Sequence, residues 1–372
     1  MGFILNLALI IIGVLLFCVI ILVHEFGHFS MAKLFSVKVN EFSIGMGPKL
    51  FRKQKGETLY TIRALPIGGF CAMEGEDEES DSDRAFGNKK AWQKILIVAM
   101  GGILNVILGF IMMFIILIPQ EAYATTTVAH FSENASTQSS GLMLDDRITS
   151  FDGYKINCDR DLMFAFSISE KIREAIKSDS INETYIDMTV NRNGQHTELK
   201  NVRFEIATAE DGTRYLNLDF KVYGEQKTFL NTIEKAFNYT VSTVRMVWAS
   251  LVGIVMGKFG VNDMAGPIGT ASVISQSAAA GLAQGFSTAV LNIVYIMIIL
   301  TVNLGVFNLL PIPALDGGRL VFLIFELIFR KPVAPKFEKY VHAIGFVALI
   351  AFMIFITCND ILRLITGNGA FI

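Results

Sequence analysis

Apolar positions fall into four long runs, separated by stretches of different character. Residues 3–23 hold one polar side chain, Asn6, and no charge. That is enough to cross a bilayer, for which about 20 apolar residues suffice. Ile95–Ile118, Phe286–Leu310 and Val341–Thr357 repeat the pattern, so four transmembrane helices are predicted. Segment 34–92 reads differently. β-like runs at Val37–Ile44 and Leu59–Leu65 flank the turn residues Lys55-Gly56-Glu57, which predicts a hairpin or re-entrant loop lying against the membrane face. The middle of the chain alternates polar and apolar positions, as in Ile186-Asp-Met-Thr-Val190 and Tyr215-Leu-Asn-Leu-Asp-Phe220, with turns at Asp152-Gly153, Asn193-Gly194 and Asp211-Gly212. These mark strands, and Asp161–Ser178 reads as a helix between them. Within 227–258, Met246–Gly257 is apolar, but Glu234, Lys235 and Arg245 interrupt the longer window. The pattern predicts an amphipathic helix on the membrane surface, followed by a Gly/Ala/Ser-rich connector over 262–285.

The expected architecture is thus a multi-pass α-helical membrane protein of four spans. A membrane-associated β-hairpin region and an inserted α+β domain complete it. Its parts are a first span (1–35), the hairpin region (36–93), a second span (94–119) and the inserted domain (122–224). The surface helix and connector (225–284), a third span (285–331) and a fourth span with the tail (332–372) follow. Composition agrees: 52% of residues are hydrophobic and 18% charged, a balance outside the soluble range. A net charge of −2 carries no sign of nucleic-acid binding. The four cysteines are scattered and form no disulfide framework or paired metal motif. The N-terminal run lacks a basic start and a small-residue cleavage site, so it is read as retained. Seven Lys and Arg lie between Lys33 and Arg63, and Arg84, Lys89, Lys90 and Lys94 precede the second span. The positive-inside rule then puts 34–92 in the cytoplasm, and both termini and the inserted domain outside.

Candidate chemistry lies at the end of the first run, in His24-Glu25-Phe-Gly27-His28. Two histidines four apart project from one face of a helix and can grip one metal ion. Glu25 beside them is placed to deprotonate a metal-activated water, as in the H-E-x-x-H zincin signature. Lys33 is the first positive charge beyond it. At 1.5 Å per residue, His28 lies about 7 Å and His24 about 13 Å from that charge along the helix. The site is therefore expected inside the membrane, near one surface. A buried span with incidental histidines is the plain alternative, but ionisable groups at membrane depth are costly and usually functional. Gly27 is read as a place where something approaches the metal closely.

Two histidines need a third protein ligand. The third span ends in Asn308-Leu-Leu-Pro311-Ile-Pro313-Ala-Leu315-Asp316-Gly317-Gly318, where two prolines must break the helix. Non-helical backbone at membrane depth is tolerated only inside protein or beside water. Asp316 falls on the same side as the histidine pair and is the best-placed ligand; His342 and Glu326 are weaker candidates. His130 and His196 fall on the other side. Residues 74–83 hold seven acids without the order of an EF-hand loop, and read as a solvated loop.

These pieces resemble the site-2 protease family of intramembrane zinc metalloproteases, in its bacterial single-PDZ form. The resemblance runs through His24-Glu25-Phe-Gly-His28, Leu65-Pro-Ile-Gly-Gly-Phe70, Ala265-Gly266-Pro267-Ile268-Gly269 and Asn308-Leu-Leu-Pro-Ile-Pro-Ala-Leu-Asp316-Gly317. Ser140-Gly141-Leu142 through Asp152-Gly153 is similar to a stretch of bacterial PDZ domains, departing at Asp145 where that pattern has glycine. The resemblance implies that His24, His28 and Asp316 bind one zinc ion, Glu25 is the catalytic base and Asn308 engages substrate. It also implies single-span membrane substrates, such as anti-sigma factors or signal-peptide remnants, and a bacterial cytoplasmic membrane location. Other readings are a membrane-anchored gluzincin with a cytosolic site and a third ligand from Glu74–Glu79, a metal transporter, and a PDZ scaffold.

Overall fold

The computed structural model describes residues 2–76, 80–210, 212–260 and 264–366. Asp211 of the expected Asp211-Gly212 turn and part of the acidic run, 77–79, lie outside them. Two compact units emerge, one of Met1–Met113 with Phe259–Ile372 and the other of Phe114–Lys258.

The first unit carries the apolar runs. Helices α1 (Gly2–Leu34), α2 (Ala91–Leu117, whose last residues belong to the second unit), α8 (Phe286–Asn308) and α10 (Pro335–Ile365) contain four stretches long and apolar enough to cross a membrane, among the described residues. The chain is accordingly a multi-pass membrane protein. Where bilayer-spanning helices meet, small residues let the backbones approach. Gly102 of α2 and Gly305 of α8 face each other so closely that a Cβ on either would fall about as near as 2.7 Å or 2.6 Å to the other's carbonyl oxygen.

The third apolar run forms one helix, α8, which stops at Asn308; after the break that the two prolines require, the chain restarts as α9 (Asp316–Phe329). The stretch read as a connector is instead largely helical: α7 spans Pro267–Gln284. Pro267 is pre-set for a first helical turn, and the backbone N–H groups of Gly266 and Gly269 donate to the carboxylate of Asp360 in α10, at 3.3 and 2.8 Å.

Between α1 and α2, strands β1 (Val39–Lys55) and β2 (Thr58–Met73) form a sheet from two long, bent strands. Gly45 and Gly47, at φ of 83° and 84°, break the run of β1, a backbone region glycine enters freely. The first half of β1 consequently has two partners. Ile44 lies opposite Gly69 on one side and Ile62 on the other, while Phe51 to Lys55 pair with Ile62 to Thr58. Residues 69–73 therefore form one edge of this small sheet. Phe42, Cys71 and Met73 are buried with Ala32, Ile97 and Val98, so the sheet is pinned to the ends of α1 and α2.

The second unit is the inserted domain. Its sheet orders six strands β8-β7-β6-β4-β3-β9, with β5 on β4. In chain order they are β3 (Ala122–Phe131), β4 (Arg147–Phe151), β5 (Tyr154–Lys155), β6 (Glu183–Arg192), β7 (Gln195–Thr208), β8 (Arg214–Asn217) and β9 (Phe220–Gln226). A short α3 (Ser136–Ser139) follows β3. The helix expected over Asp161–Ser178 is two, α4 (Asp159–Ile168) and α5 (Glu170–Lys177), divided at an extended Ser169. Phe151 stacks edge-on to Phe166 and Phe204, with centroids 4.7 and 5.6 Å apart, at the centre of the core. The stretch expected as a surface helix is continuous, α6 (Phe229–Val255). One side of it bonds to α4, through Tyr239 to Asp159 and through Ser242 and Arg245 to Asp161. Phe229, Leu230, Phe237, Trp248 and Val252 are exposed.

Candidate metal centre

The last turns of α1 carry His24 and His28, both buried. They can lie so close to α2 because of two glycines. A Cβ on Gly27 would fall 2.5 Å from the Met100 carbonyl oxygen, and one on Gly101 would strike Nε2 of His28 and approach Cε1 of His24 to 2.8 Å. What approaches Gly27 is the backbone of α2. The proline-bearing turn brings Asp316, the first residue of α9, to the same point.

Three atoms converge there. His24 Nε2 and His28 Nε2 lie 3.2 and 3.3 Å from Asp316 Oδ2, and 3.3 Å from each other. Two ligands about 2.1 Å from one ion at a tetrahedral angle stand about 3.4 Å apart, so this triangle has the size a zinc ion requires. Asp316 Oδ2 is buried and accepts no hydrogen bond, a costly condition for an isolated carboxylate oxygen. A divalent cation bound by the three groups removes that cost. Among the described residues, this is the cluster of three or more His, Cys, Asp or Glu able to hold a metal.

The remaining ring nitrogens are also occupied. His28 Nδ1 lies 2.9 Å from the carbonyl oxygen of Ile97, to which it donates, leaving the Nε2 lone pair for a cation. His24 Nδ1 lies 3.3 Å from the side-chain amide of Asn105, which is fully buried and whose other amide atom has no partner. The oxygen and nitrogen of such an amide are assigned from their partners. With His24 presenting Nε2 to a metal, its Nδ1 bears the hydrogen, and the Asn105 oxygen is the atom that accepts it. Sequence reading passed over Asn105; a lone amide in an apolar run, one helical turn after Gly101, was the available signal. Asn308 places its amide nitrogen 3.5 and 3.4 Å from Nδ1 and Nε2 of His24, over the ring rather than in line with one nitrogen.

Glu25 borders the sheet. A Cβ on Gly69 would lie 3.1 Å from Glu25 Cγ and 2.9 Å from the Ser43 carbonyl oxygen, so the edge segment of β2 runs directly beside this carboxylate. The weaker ligand candidates are elsewhere. Both oxygens of Glu326 lie 2.7 Å from Lys94 Nζ, and His342 Nδ1 accepts the Ala314 N–H. Of the acidic run, Glu74 pairs with Lys38 at 2.6 Å and Glu76 with Arg319; neither joins the histidines. His130 and His196 sit in β3 and β7 of the other unit.

A membrane-embedded helical protein with a His-His-Asp centre, a neighbouring glutamate and an inserted β domain is the class that fold and site define. Comparison with known proteins gives the family: the model for peptidase family M50 matches residues 12–352. The chain belongs to peptidase family M50, the site-2 protease family. It is similar to proteins carrying the name "putative zinc metalloprotease" from three bacteria. The Clostridium acetobutylicum protein is 35% identical over 95% of this chain and 97% of its own length. For the Clostridium perfringens protein the values are 34%, 95% and 98%, and for that of Fusobacterium nucleatum 32%, 95% and 98%.

Proposed function

We propose that this M50 peptidase is a zinc metalloendopeptidase that cleaves peptide bonds within transmembrane segments of other membrane proteins. The observation that carries this reading is the triangle of His24 Nε2, His28 Nε2 and Asp316 Oδ2, built on helices apolar enough to lie in a bilayer. These three residues hold the zinc. When bound, zinc supplies a Lewis acid that polarises a carbonyl group and acidifies water. Glu25 receives the proton of the attacking water and returns it to the departing amine. The Ile97 carbonyl and the Asn105 amide fix the two imidazoles in the ligating tautomer.

A helical substrate hides its carbonyls in its own hydrogen bonds, so it must unwind before attack. The edge formed by 69–73 runs beside Glu25, and an extended substrate segment can add to it as a strand. Asn308, over the His24 ring, is the side chain placed to hold substrate backbone at the same point. Single-span proteins already trimmed outside the membrane, such as anti-sigma factors or signal-peptide remnants, fit such a site. In this reading the Lys/Arg-rich hairpin region faces the cytoplasm and the inserted domain faces outward. That domain, similar in part to PDZ domains, turns away substrates with bulky ectodomains, and the exposed apolar side of α6 lies on the membrane surface.

The test is co-expression of wild type, Glu25→Gln and Asp316→Asn with a tagged, pre-trimmed single-span substrate, with zinc content measured alongside. Both variants are expected to be inactive, Glu25→Gln keeping its zinc and Asp316→Asn binding it poorly. Normal cleavage and zinc content in Asp316→Asn would place the third ligand elsewhere and overturn the site.

A further inference from the structure

The turn joining α8 to α9 permits a complete account of its backbone donors. Pro311 and Pro313 have no N–H. Leu309 donates to Val306, Leu310 to Phe307, Ile312 to Leu310 and Leu315 to Ile312, at 2.6–3.2 Å. All four acceptors lie within the turn or the last turn of α8. The fifth donor, Ala314 N–H, leaves the turn and reaches Nδ1 of His342 in α10, at 3.1 Å. Ala314 has φ of 75°, a left-handed conformation that residues bearing a Cβ enter reluctantly. The residue most in need of outside support is thus the one that receives it, and it stands two positions before Asp316.

A second feature of α10 fits the same turn. Gly345, three residues beyond His342 and on the same helix face, lies against Pro313; a Cβ there would strike the proline ring and come 2.8 and 2.9 Å from the Pro313 carbonyl carbon and oxygen. Much of the surrounding helix is not engaged in packing, for Ile344, Val347 and Ile354 are 70%, 67% and 60% exposed. Apolar contact drives little association inside a bilayer, so specific bonds of this kind decide where such a helix sits.

The structure assigns His342 a role as a positioning residue: by accepting the Ala314 N–H it holds the turn in the form that aims Asp316 at His24 and His28. The sequence alone offers His342 only as a weaker ligand candidate. The inference rests on the ligand set proposed above, and its test separates the two.

The full chain is purified in detergent, and zinc affinity is measured by competition with a chelator. His342→Asn keeps a side-chain acceptor, whereas His342→Leu has similar bulk and none. His342→Leu is expected to bind zinc about tenfold or more weakly, the usual cost of losing support for a metal ligand, and His342→Asn to stay within about threefold of wild type. Wild-type affinity in His342→Leu, or an equal loss in both variants, overturns the role. If His342→Leu is not recovered folded, Gly345→Ala decides: weakened zinc binding supports the fit of α10 to the turn, and unchanged binding overturns it. Asp316→Asn is run alongside. Its loss of zinc, with normal binding by His342→Leu, defeats this inference alone; zinc retained by Asp316→Asn defeats the ligand set beneath it.

Discussion

Gly101 leaves free the space that two imidazoles occupy. A methyl group there meets His28 Nε2 and His24 Cε1, atoms in or beside the ligand triangle. Gly101→Ala is therefore expected to lower zinc affinity by about tenfold or more with the helices still formed, since Ala favours a helix over Gly by about 1 kcal/mol. Chelator competition and circular dichroism on the same preparation check the two halves of that statement. Asn105 gives a second prediction at this scale. Asn105→Asp retains an oxygen for the His24 Nδ1 hydrogen and is expected to retain zinc, while Asn105→Leu loses it by a factor of about 10–100. Equal zinc binding by both would mean that the amide serves packing alone. Neither residue was visible to motif reading. His24 and His28 announce themselves by spacing, but Gly101 and Asn105 gain meaning only once α2 is laid against α1.

Among elements, the hairpin region owes part of its stability to acids held ionised. Burial pushes the Glu41 carboxyl up, but hydrogen bonds from Lys49 and Arg63, both 2.8 Å, and Thr61, 2.7 Å, outweigh it and hold the pKa at about 2. Glu57 is likewise at about 2, chiefly through Arg84 and then Lys33. A carboxylate whose folded pKa is depressed contributes stability that is full above its ordinary pKa of about 4.3 and fades as pH falls toward the folded value. Acidification from pH 5 to about 2 should thus lower the melting temperature of wild type more than that of Glu41→Gln. Parallel melting curves for the two proteins across that window would contradict the assignment. The hairpin itself was legible in the alternation of Val37–Ile44 and Leu59–Leu65, yet the double pairing of Ile44 with Gly69 and Ile62 was not. The Gly/Ala/Ser-rich composition of 262–285 predicts a connector. In the folded chain those residues allow close contact, as where Gly281 meets the Ala289 backbone, and α7 forms.

The inserted domain has its own core, and its loss can be followed separately. Phe151 is fully buried between Phe166 and Phe204, so Phe151→Ala is expected to destabilise the domain by about 3–5 kcal/mol, read as early protease cleavage within 122–226. For the whole molecule, the size-filter reading predicts that deleting 124–222 raises cleavage of substrates with intact ectodomains relative to trimmed ones. An unchanged ratio between the two would remove that role from the domain.

The sequence by itself determined what depends on local order. Run length marked the spans, period-two alternation marked the strands, four-residue spacing paired His24 with His28, and two prolines required a break before Asp316. Tertiary structure decided what depends on packing between distant segments. It brought Asp316 Oδ2 within 3.3 Å of both imidazoles, set the edge of β2 beside Glu25, and gave His342 to a backbone N–H instead of a metal. Spacing along one helix constrains which side chains share a face. Only the close approach of glycine-lined helices and a turn bonded from outside determines which atoms meet.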